Sequence, residues 1–202
     1  MPKIVAHDER RRELADAALA LAARKGVGSV TTRAVAEEAG WSIGVLNHYF
    51  DSRRDLMRAA LLRARELQDH AYREILADPT TSAHRKLELL TDCVLPLDDR
   101  RLALTRVFLF FYAEGTASDD ARAAVATLLA SWRAMIAEQL GAAAAAGEVP
   151  ADLDIQLAAT HLTALTDGLA LEAVLDPAVM ARLHTPGAVA RIVATVAPRS
   201  AA

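Results

Sequence analysis

Residues 31–50 read TTRAVAEEAGWSIGVLNHYF, and this stretch most constrains what the chain can fold into. Two threonines can cap one short helix, Gly40 can end it, and Ser42 can cap a second short helix that runs to Phe50. Glycine tolerates the left-handed backbone of a sharp turn, and Ala36 is small enough to let the second helix cross close to the first. The segment therefore predicts two short helices that cross at a steep angle.

Such a pair of helices has an inner and an outer face. We expect Val35, Leu46 and Tyr49 to form a small core with the preceding helix. The outer face of the second helix then consists of Ile43, Gly44, Asn47 and His48. Helical spacing thus places polar groups on a surface that the local fold leaves free.

The residues of this outer face have the chemistry to recognise DNA. Asn47 can pair with adenine in bidentate fashion, and His48 and Tyr49 can reach phosphate oxygens. The start of the first helix can approach phosphates through N–H groups, hydroxyls and charge. The predicted DNA-binding residues are Thr31, Thr32, Arg33, Ser42, Ile43, Gly44, Val45, Asn47, His48, Tyr49 and Arg53. The alternative is an ordinary helical hairpin whose exposed polar residues have no role.

The remainder of the chain continues the helical pattern. Aromatic residues make up only 4% of the chain, and its 9 glycines and 7 prolines fall mostly between runs with helical periodicity. This pattern predicts an all-α fold, with helices over residues 8–25, 32–40, 43–50, 53–76, 82–95, 100–113, 118–146, 152–175 and 187–197. Pro177 is expected to end the helix that begins at residue 152.

Charge and composition narrow the function classes. The net charge is -3, but residues 1–60 hold ten Lys/Arg against eight Asp/Glu and residues 61–202 hold thirteen against eighteen. The N-terminal part is therefore the better candidate for a contact with phosphate. A single cysteine, Cys93, excludes an intramolecular disulfide and a cysteine-based zinc site.

No motif of catalysis or membrane insertion is present in the sequence. The six histidines form no HExxH, and there is no glycine-rich phosphate loop, so we predict no enzyme activity, catalytic residue, metal or cofactor. The N-terminus lacks the apolar core of a signal peptide, and no window approaches ~18 uncharged apolar residues. We therefore expect a soluble, cytoplasmic protein that has no membrane partner.

The stretch TTRAVAEEAGWSIGVLNHYFDSRRDLMRAAL resembles the DNA-binding segment of the TetR family of bacterial transcriptional repressors. The resemblance spans roughly residues 10–62 and rests on His48, Tyr49, Phe50, Ser52, Arg53 and Leu56. It implies a three-helix helix-turn-helix DNA-binding domain over residues 1–52 and a helical-bundle domain for ligand binding and dimerisation over residues 53–202. The departures are Asn47 in place of a frequent Tyr, Arg53 in place of the usual Lys, and Trp41 in place of Val.

Beyond residue 80 the chain is similar to the branch of this family that contains the choline-responsive betaine-pathway repressor. The resemblance rests on RLALTRVFLFFYAEG, ASWRAMIAEQL and HLTALTDGLALEAVL, within about residues 85–197. It implies a regulatory domain that binds a small effector and dimerises through its last two long helices.

Two C-terminal helices carry few charged residues. The predicted helices 152–175 and 187–197 would expose a large apolar patch on a monomer, and packing against a second copy would cover it. We predict interface residues Leu162, Leu165, Leu169, Val189, Ile192 and Val196. A homodimer would read a palindromic operator with half-sites about 34 Å apart. The alternative is that both helices belong to the core of a monomer.

A cluster of aromatic residues in the middle of the chain suggests an effector pocket. The predicted effector-binding residues are Phe108, Phe111, Tyr112, Trp132, Met135 and Asp167. The rings could line an apolar cavity or hold a quaternary ammonium, with the carboxylate supplying charge, or they could be plain core. Of the histidines, we expect His161 in the core and His70 and His84 on solvated faces.

Taken together, these patterns predict a homodimeric repressor that binds double-stranded DNA and is released from a palindromic operator by an unidentified small molecule. The helix at residues 53–76 would transmit the difference between the two states. Two alternatives remain: a DNA-binding dimer without an effector, and a small-molecule-binding helical protein with a vestigial DNA-binding motif.

Overall fold

The computed structural model describes residues 2–200 and is helical throughout, with no strand in that range. The helices are α1 (Pro2–Lys25), α2 (Thr32–Glu38), α3 (Ile43–Tyr49), α4 (Arg53–Ala77), α5 (Ala83–Val94), α6 (Asp99–Ala117), α7 (Asp119–Ala145), α8 (Ile155–Leu175), α9 (Pro177–Leu183) and α10 (Ala188–Val196). A short 3-10 helix, Val27–Ser29, lies between α1 and α2. The prediction of an all-α fold is confirmed.

Helix α9 was not predicted, because Pro177 reads equally well as a stop signal. The Asp176 carboxylate accepts a hydrogen bond from the N–H of Ala178 at 2.8 Å, and Pro177 occupies the first turn of the new helix. Proline is favoured there because the first N–H groups of a helix have no intrahelical partner. The segment therefore ends one helix and starts the next.

The chain forms two compact units. The N-terminal unit consists of residues 2–69 and 98–110, and the C-terminal unit consists of residues 70–97 and 111–200. The predicted functional division between residues 52 and 53 stays a prediction. Helices α4 and α6 each contribute residues to both units.

The N-terminal unit is built on α1, which packs against α2 and α3. Its core consists of leucines and alanines of α1 together with larger side chains from the helices that follow. Its fully buried members include Leu14, Val35, Leu46, Phe50, Leu56 and Met57. Each buried leucine-sized side chain contributes about 1.5–3 kcal/mol, so this small core can fix the crossing of α2 and α3.

In the C-terminal unit α7 packs against both α5 and α8, and α9 and α10 pack against α8. One core cluster includes Leu87, Ile136, Leu140, Leu162 and Val193, and a second includes Leu95, Ala173 and Leu183. Helix α8 thus has one face in the core of its own chain.

Candidate nucleic-acid interface

Hydroxyl caps fix where α2 and α3 begin. Thr31 Oγ1 accepts a hydrogen bond from the N–H of Ala34 at 3.1 Å, and Ser42 Oγ accepts one from the N–H of Val45 at 3.3 Å. Between the helices Gly40 adopts φ +72°, in the left-handed region that favours glycine. The sequence therefore sets where both helices begin and where the turn between them lies.

The inner face of the helix pair is formed by Val35, Ala36 and Leu46, all of which are buried. The prediction that Tyr49 completes this core is wrong, because the Tyr49 side chain is only partly buried and Phe50 is buried instead. Phe50 follows the last residue of α3 and has an extended backbone. The change of backbone direction at the end of the helix thus turns the second ring inward.

On the outer face of α3 the side chains of Ser42, Ile43, Asn47 and His48 are exposed, and Val45 is partly buried. The Tyr49 ring lies edge-on to His48, with centroids 5.4 Å apart, and 4.9 Å from the ring of His7. Exposed amide, imidazole and hydroxyl groups next to one another can bond both to base edges and to phosphate oxygens. This is the surface that the sequence predicts to recognise DNA.

The start of α2 supplies a second exposed group on the same unit. Thr31 and Arg33 are exposed and Thr32 is partly buried. The Arg33 side chain is 81% exposed and pairs with Glu37 at 3.1 Å, a surface ion pair that contributes little to stability. The Arg33 guanidinium is therefore available to exchange this partner for a phosphate.

Trp41 connects the turn to α1. Its indole N–H donates to Glu13 Oε1 at 3.1 Å, and the Arg10 guanidinium lies over its ring, 4.7 Å from the centroid. Hydrogen bonds from Arg10 and from Trp41 hold the pKa of the Glu13 carboxyl below its usual value. The bulk of tryptophan at this position is thus accommodated at the surface, against polar side chains of α1.

Arg53 is placed differently from the other predicted DNA-binding residues. Its Nε donates to the carbonyl of Val30 at 2.6 Å and its Nη2 donates to the carbonyl of Val27 at 2.9 Å. Its guanidinium also lies 5.5 Å from the centroid of the Phe110 ring. A phosphate contact by Arg53 stays a prediction, and it would have to use the guanidinium N–H groups that these two carbonyls do not occupy.

The predicted effector residues are divided between the two units. Phe108 belongs to the N-terminal unit and the other five belong to the C-terminal unit. There the Tyr112 hydroxyl donates to Asp167 Oδ1 at 3.4 Å. Trp132 lies against Tyr72, which was not predicted, with ring centroids 5.4 Å apart. Tyr72 is a single aromatic residue within the charged helix α4, so its neighbours in sequence do not mark it.

Tyr112 and Asp167 both have raised pKa values. Burial raises the pKa of Asp167 to about 6, against opposing contributions from the Tyr112 hydrogen bond and the Arg133 charge. Burial, followed by the charge of Asp167, also raises the pKa of the Tyr112 hydroxyl. The C-terminal unit therefore contains a largely buried carboxyl that titrates near neutral pH, beside a neutral phenol.

Of the predicted dimer residues, Leu162 is 0% exposed and packs in the core of its own chain. It cannot reach a second copy without rearrangement, and this part of the prediction is corrected. Leu165, Leu169, Val189, Ile192 and Val196 are all partly buried. The exposed side chains of α8 lie on its other face.

Two histidines lie opposite to expectation. His161 is exposed, whereas His84 is buried and its Nε2 lies 3.1 Å from the carbonyl oxygen of Ala197. His84 Nδ1 is 3.5 Å from the buried Glu88 carboxylate, which accepts hydrogen bonds from Arg85 and, at 3.1 Å, from Arg199. These residues connect the start of α5 to the C-terminal segment.

An open groove with a volume of about 500 Å³ lies within the N-terminal unit. Its apolar lining comes from three helices and comprises Leu19, Ala20, Ala23, Leu67, Ala103 and Leu104. Asp16, one of the two acids that line the groove, accepts a hydrogen bond from Arg63 at 2.8 Å. None of the predicted effector residues lines this groove.

Within the described residues, no helix is both long and apolar enough to cross a membrane. Over the same part of the chain, no group of three or more His, Cys, Asp or Glu side chains is placed to hold a metal ion.

Comparison with known proteins identifies relatives for both parts of the chain. Residues 83–198 match the family model described as "BetI-type transcriptional repressor, C-terminal", and residues 14–60 match "Bacterial regulatory proteins, tetR family". The chain is 29% identical over 177 residues to the HTH-type transcriptional regulator PksA of Bacillus subtilis, an alignment that spans 88% of this chain and 84% of PksA. It is 28% identical over 187 residues to the HTH-type transcriptional regulator BetI of Cronobacter sakazakii, across 87% and 85% of the two chains.

Among solved structures, a transcriptional regulator from Saccharomonospora viridis in complex with choline superposes with a TM-score of 0.73 at 24% identity, over 94% of each chain. At this level of identity the likeness concerns the fold. The C-terminal family match covers more than half of the chain, and the N-terminal match contains the helix pair α2–α3. The chain therefore belongs to the TetR family of DNA-binding transcriptional regulators, with a C-terminal part of the BetI type.

Proposed function

We propose that the protein is a homodimeric repressor that binds a palindromic operator through α3 and is released when a small-molecule effector binds in the C-terminal unit. The observation that supports DNA reading most directly is the exposed outer face of α3, with Asn47 and His48 held on a helix whose start is fixed by the Ser42 cap. Because α3 is rigidly packed through its opposite face, these side chains are presented in a defined geometry.

Asn47 is the residue that we propose reads a base. The substitution Asn47→Ala removes a bidentate partner for adenine. It is expected to weaken operator binding by about 1–3 kcal/mol, through the loss of one base contact in each half-site. Binding is measured by fluorescence anisotropy on a duplex selected from a random pool with the wild-type protein. Asn47→Gln, whose amide can make the same pair of hydrogen bonds, is the matched control. Unchanged affinity and base preference in Asn47→Ala would exclude this role.

Dimerisation is proposed to use the exposed face of α8. Its residues Leu157, His161, Ala164, Gly168, Leu171 and Leu175 follow one another at intervals of four, three, four, three and four. The three leucines are 50%, 44% and 73% exposed. An apolar stripe with this spacing is the pattern by which antiparallel helices pack in bundles.

The test of the dimer compares two exposed leucines. Leu171→Glu places a charge in the stripe and is expected to shift the protein from dimer to monomer in sedimentation equilibrium. Leu62→Glu, at a leucine of α4 that is 59% exposed, should leave the dimer intact. If both variants remain dimeric, the interface lies elsewhere.

For the effector we propose an organic cation. The support is the pair Tyr112 and Asp167, together with the aromatic contact between Trp132 and Tyr72 in the same unit. An ionised carboxylate and aromatic faces both attract quaternary ammonium groups. The regulator of the same fold that was solved with choline supplies a first probe.

Calorimetric titration with choline and with its uncharged isostere, 3,3-dimethylbutan-1-ol, tests this choice. We expect the cation to bind more tightly and to gain affinity as the pH rises through about 6, because the ionised form of Asp167 binds it better. Equal binding of both compounds would exclude charge recognition. Binding of neither, together with intact operator binding, would favour a different effector or a dimer without one.

A further inference from the structure

Three arginines of the N-terminal unit bond to main-chain carbonyls. They come from three different helices: Arg11 from α1, Arg53 from α4 and Arg106 from α6. All three side chains are partly buried. Their acceptors lie at the ends of the elements that lead into, or out of, the helix pair α2–α3.

Arg53 binds the connection that precedes α2. The carbonyls of Val27 and Val30 both accept from it, and Val30 is completely buried and directly precedes the cap residue Thr31. A guanidinium can bridge two carbonyls because its N–H groups form a rigid fork. The start of α4 thereby fixes the point at which α2 begins.

Arg106 binds the end of α1. Its Nη1 donates to the carbonyls of Ala22, at 3.1 Å, and Ala23. The last carbonyls of a helix carry the negative end of the helix dipole, so a cation is favourable there.

Arg11 binds the end of α3. Its Nη1 donates to the carbonyl of Tyr49, its Nη2 lies 3.3 Å from the Asp55 carboxylate, and its guanidinium lies over the Phe50 ring at 4.4 Å from the centroid. Helix α3 is therefore held at its C-terminal end by a charge from α1.

We propose that Arg11, Arg53 and Arg106 are positioning residues that set the specificity of operator binding by fixing α2 and α3, without themselves neutralising phosphate. Each guanidinium donates to at least one main-chain oxygen atom, and swinging the Arg53 side chain away towards a phosphate would leave the buried Val30 carbonyl without its donor. The proposal concerns DNA binding itself and is independent of the dimer interface and of the effector.

The dependence of binding on salt distinguishes positioning from phosphate contact. Each phosphate contact contributes about 0.9 to the slope of log K against log salt concentration. We therefore expect Arg53→Met and Arg106→Met to leave this slope unchanged. Both substitutions should weaken binding to the selected operator about tenfold, as expected when a hydrogen bond to a charged group is removed. They should weaken binding to a scrambled duplex of equal base composition much less.

Arg33→Met is the matched control, because this arginine is exposed and its only hydrogen-bond partner among the described residues is the surface carboxylate of Glu37. It should reduce the slope by about 0.9 for each phosphate that residue 33 no longer neutralises, and weaken binding to both duplexes alike. A fall in slope for Arg53→Met equal to that of Arg33→Met would overturn the proposal for Arg53.

Loss of folding must be separated from loss of positioning. Circular dichroism gives the folded fraction, and a variant that is merely unstable loses operator and scrambled binding in the same proportion, which would also contradict the proposal. If Arg53→Met does not fold, Arg53→Lys decides the matter. A lysine retains the charge for a phosphate but lacks the rigid fork that holds the Val27 and Val30 carbonyls in one geometry, so we expect it to lose specificity, and wild-type specificity in this variant would refute positioning.

Discussion

The two units hold their inward polar side chains in different ways. The N-terminal unit turns Arg53 and Arg106 inward to main-chain carbonyls, whereas the C-terminal unit turns the Asp167 carboxyl inward beside the Tyr112 hydroxyl. Carbonyl oxygens and arginines do not titrate near neutral pH, but a carboxyl group whose pKa is raised to about 6, as that of Asp167 is, responds to protons and cations. The contrast indicates that the first unit is built to keep a fixed surface and the second to respond to its surroundings.

The units also differ in what they expose. The free face of α3 carries polar groups that suit a charged polymer, and the free face of α8 carries three exposed leucines that suit a second apolar surface. Each free face lies on a helix whose opposite face is in a core. Burial thus decides which residues of an amphipathic helix are left for a partner.

The largest effect is expected from a substitution in α8 that tests whether Leu162 belongs to the core of the C-terminal unit or to the dimer interface. Leu162→Ala creates a cavity at a fully buried position and should lower the free energy of unfolding by about 2–5 kcal/mol at every protein concentration. Leu171→Ala, on the exposed face, should act only at concentrations where the protein is a dimer. Urea unfolding at several protein concentrations measures the effects of both substitutions. If both substitutions destabilised the protein equally and only at protein concentrations where it is a dimer, Leu162 would belong to the dimer interface.

Glu88→Gln tests whether ionic groups stabilise the C-terminal unit. Burial acts to raise the pKa of Glu88, but the hydrogen bonds from Arg85 and Arg199 outweigh it and hold the pKa below its usual value. The ionised carboxylate therefore stabilises the fold above the unfolded-state pKa of about 4.3, and this stability is lost as the pH falls through the lower folded-state pKa.

At pH 7 the Glu88→Gln variant should be less stable by about 2 kcal/mol, and the difference should shrink in acid. Chemical unfolding as a function of pH measures it, with the exposed Glu138→Gln as a control that should change little. A difference that does not vary with pH would argue against the ionic origin.

A smaller effect is expected from two glycines of the helix pair. Gly40→Ala places a side chain at φ +72° and should destabilise the N-terminal unit by about 1–2 kcal/mol through the backbone alone, since an added Cβ would meet nothing within 4 Å. Gly44→Ala lies within α3, where alanine is the better helix former, and should stabilise by about 0.5–1 kcal/mol. Thermal unfolding compares the stabilities of the two variants. If both substitutions stabilised or both destabilised the protein, the left-handed turn at Gly40 would be contradicted.

The smallest effect concerns Asp167. The pKa of Asp167 is raised to about 6 in the folded state, so the protonated carboxyl is the form that favours folding. Its contribution to the stability of the protein is complete below the unfolded-state pKa of about 3.9 and is lost as the pH rises through 6. Asp167→Asn removes this titration and should be more stable than the wild type by about 1 kcal/mol at pH 7.5. Unfolding measured from pH 5 to 8, with the exposed Asp152→Asn as reference, tests this expectation. A constant difference between variant and wild type would contradict it.

Most of the helical architecture could be predicted from the sequence, because caps, glycine stops and apolar periodicity are local signals. The caps at Thr31 and Ser42 and the turn at Gly40 are confirmed. The missed helix α9 shows where local signals are ambiguous, since Pro177 both ends one helix and begins another. The burial of His84 and the exposure of His161 were predicted the wrong way round, because both lie on mixed helices whose packing partners are distant in sequence.

The sequence by itself determined that the chain is helical, that α2 and α3 form a helix-turn-helix, and that its relatives are TetR-family regulators, because these properties follow from short-range spacing and from residue identity. Only the tertiary structure decided that Arg53 turns to the Val30 carbonyl and that Leu162 is buried. Each of these depends on groups more than twenty residues away, or on another helix, that cover one side chain and leave its neighbour free. A periodic pattern identifies the faces of a helix, and packing selects which face remains available for DNA or for a second copy.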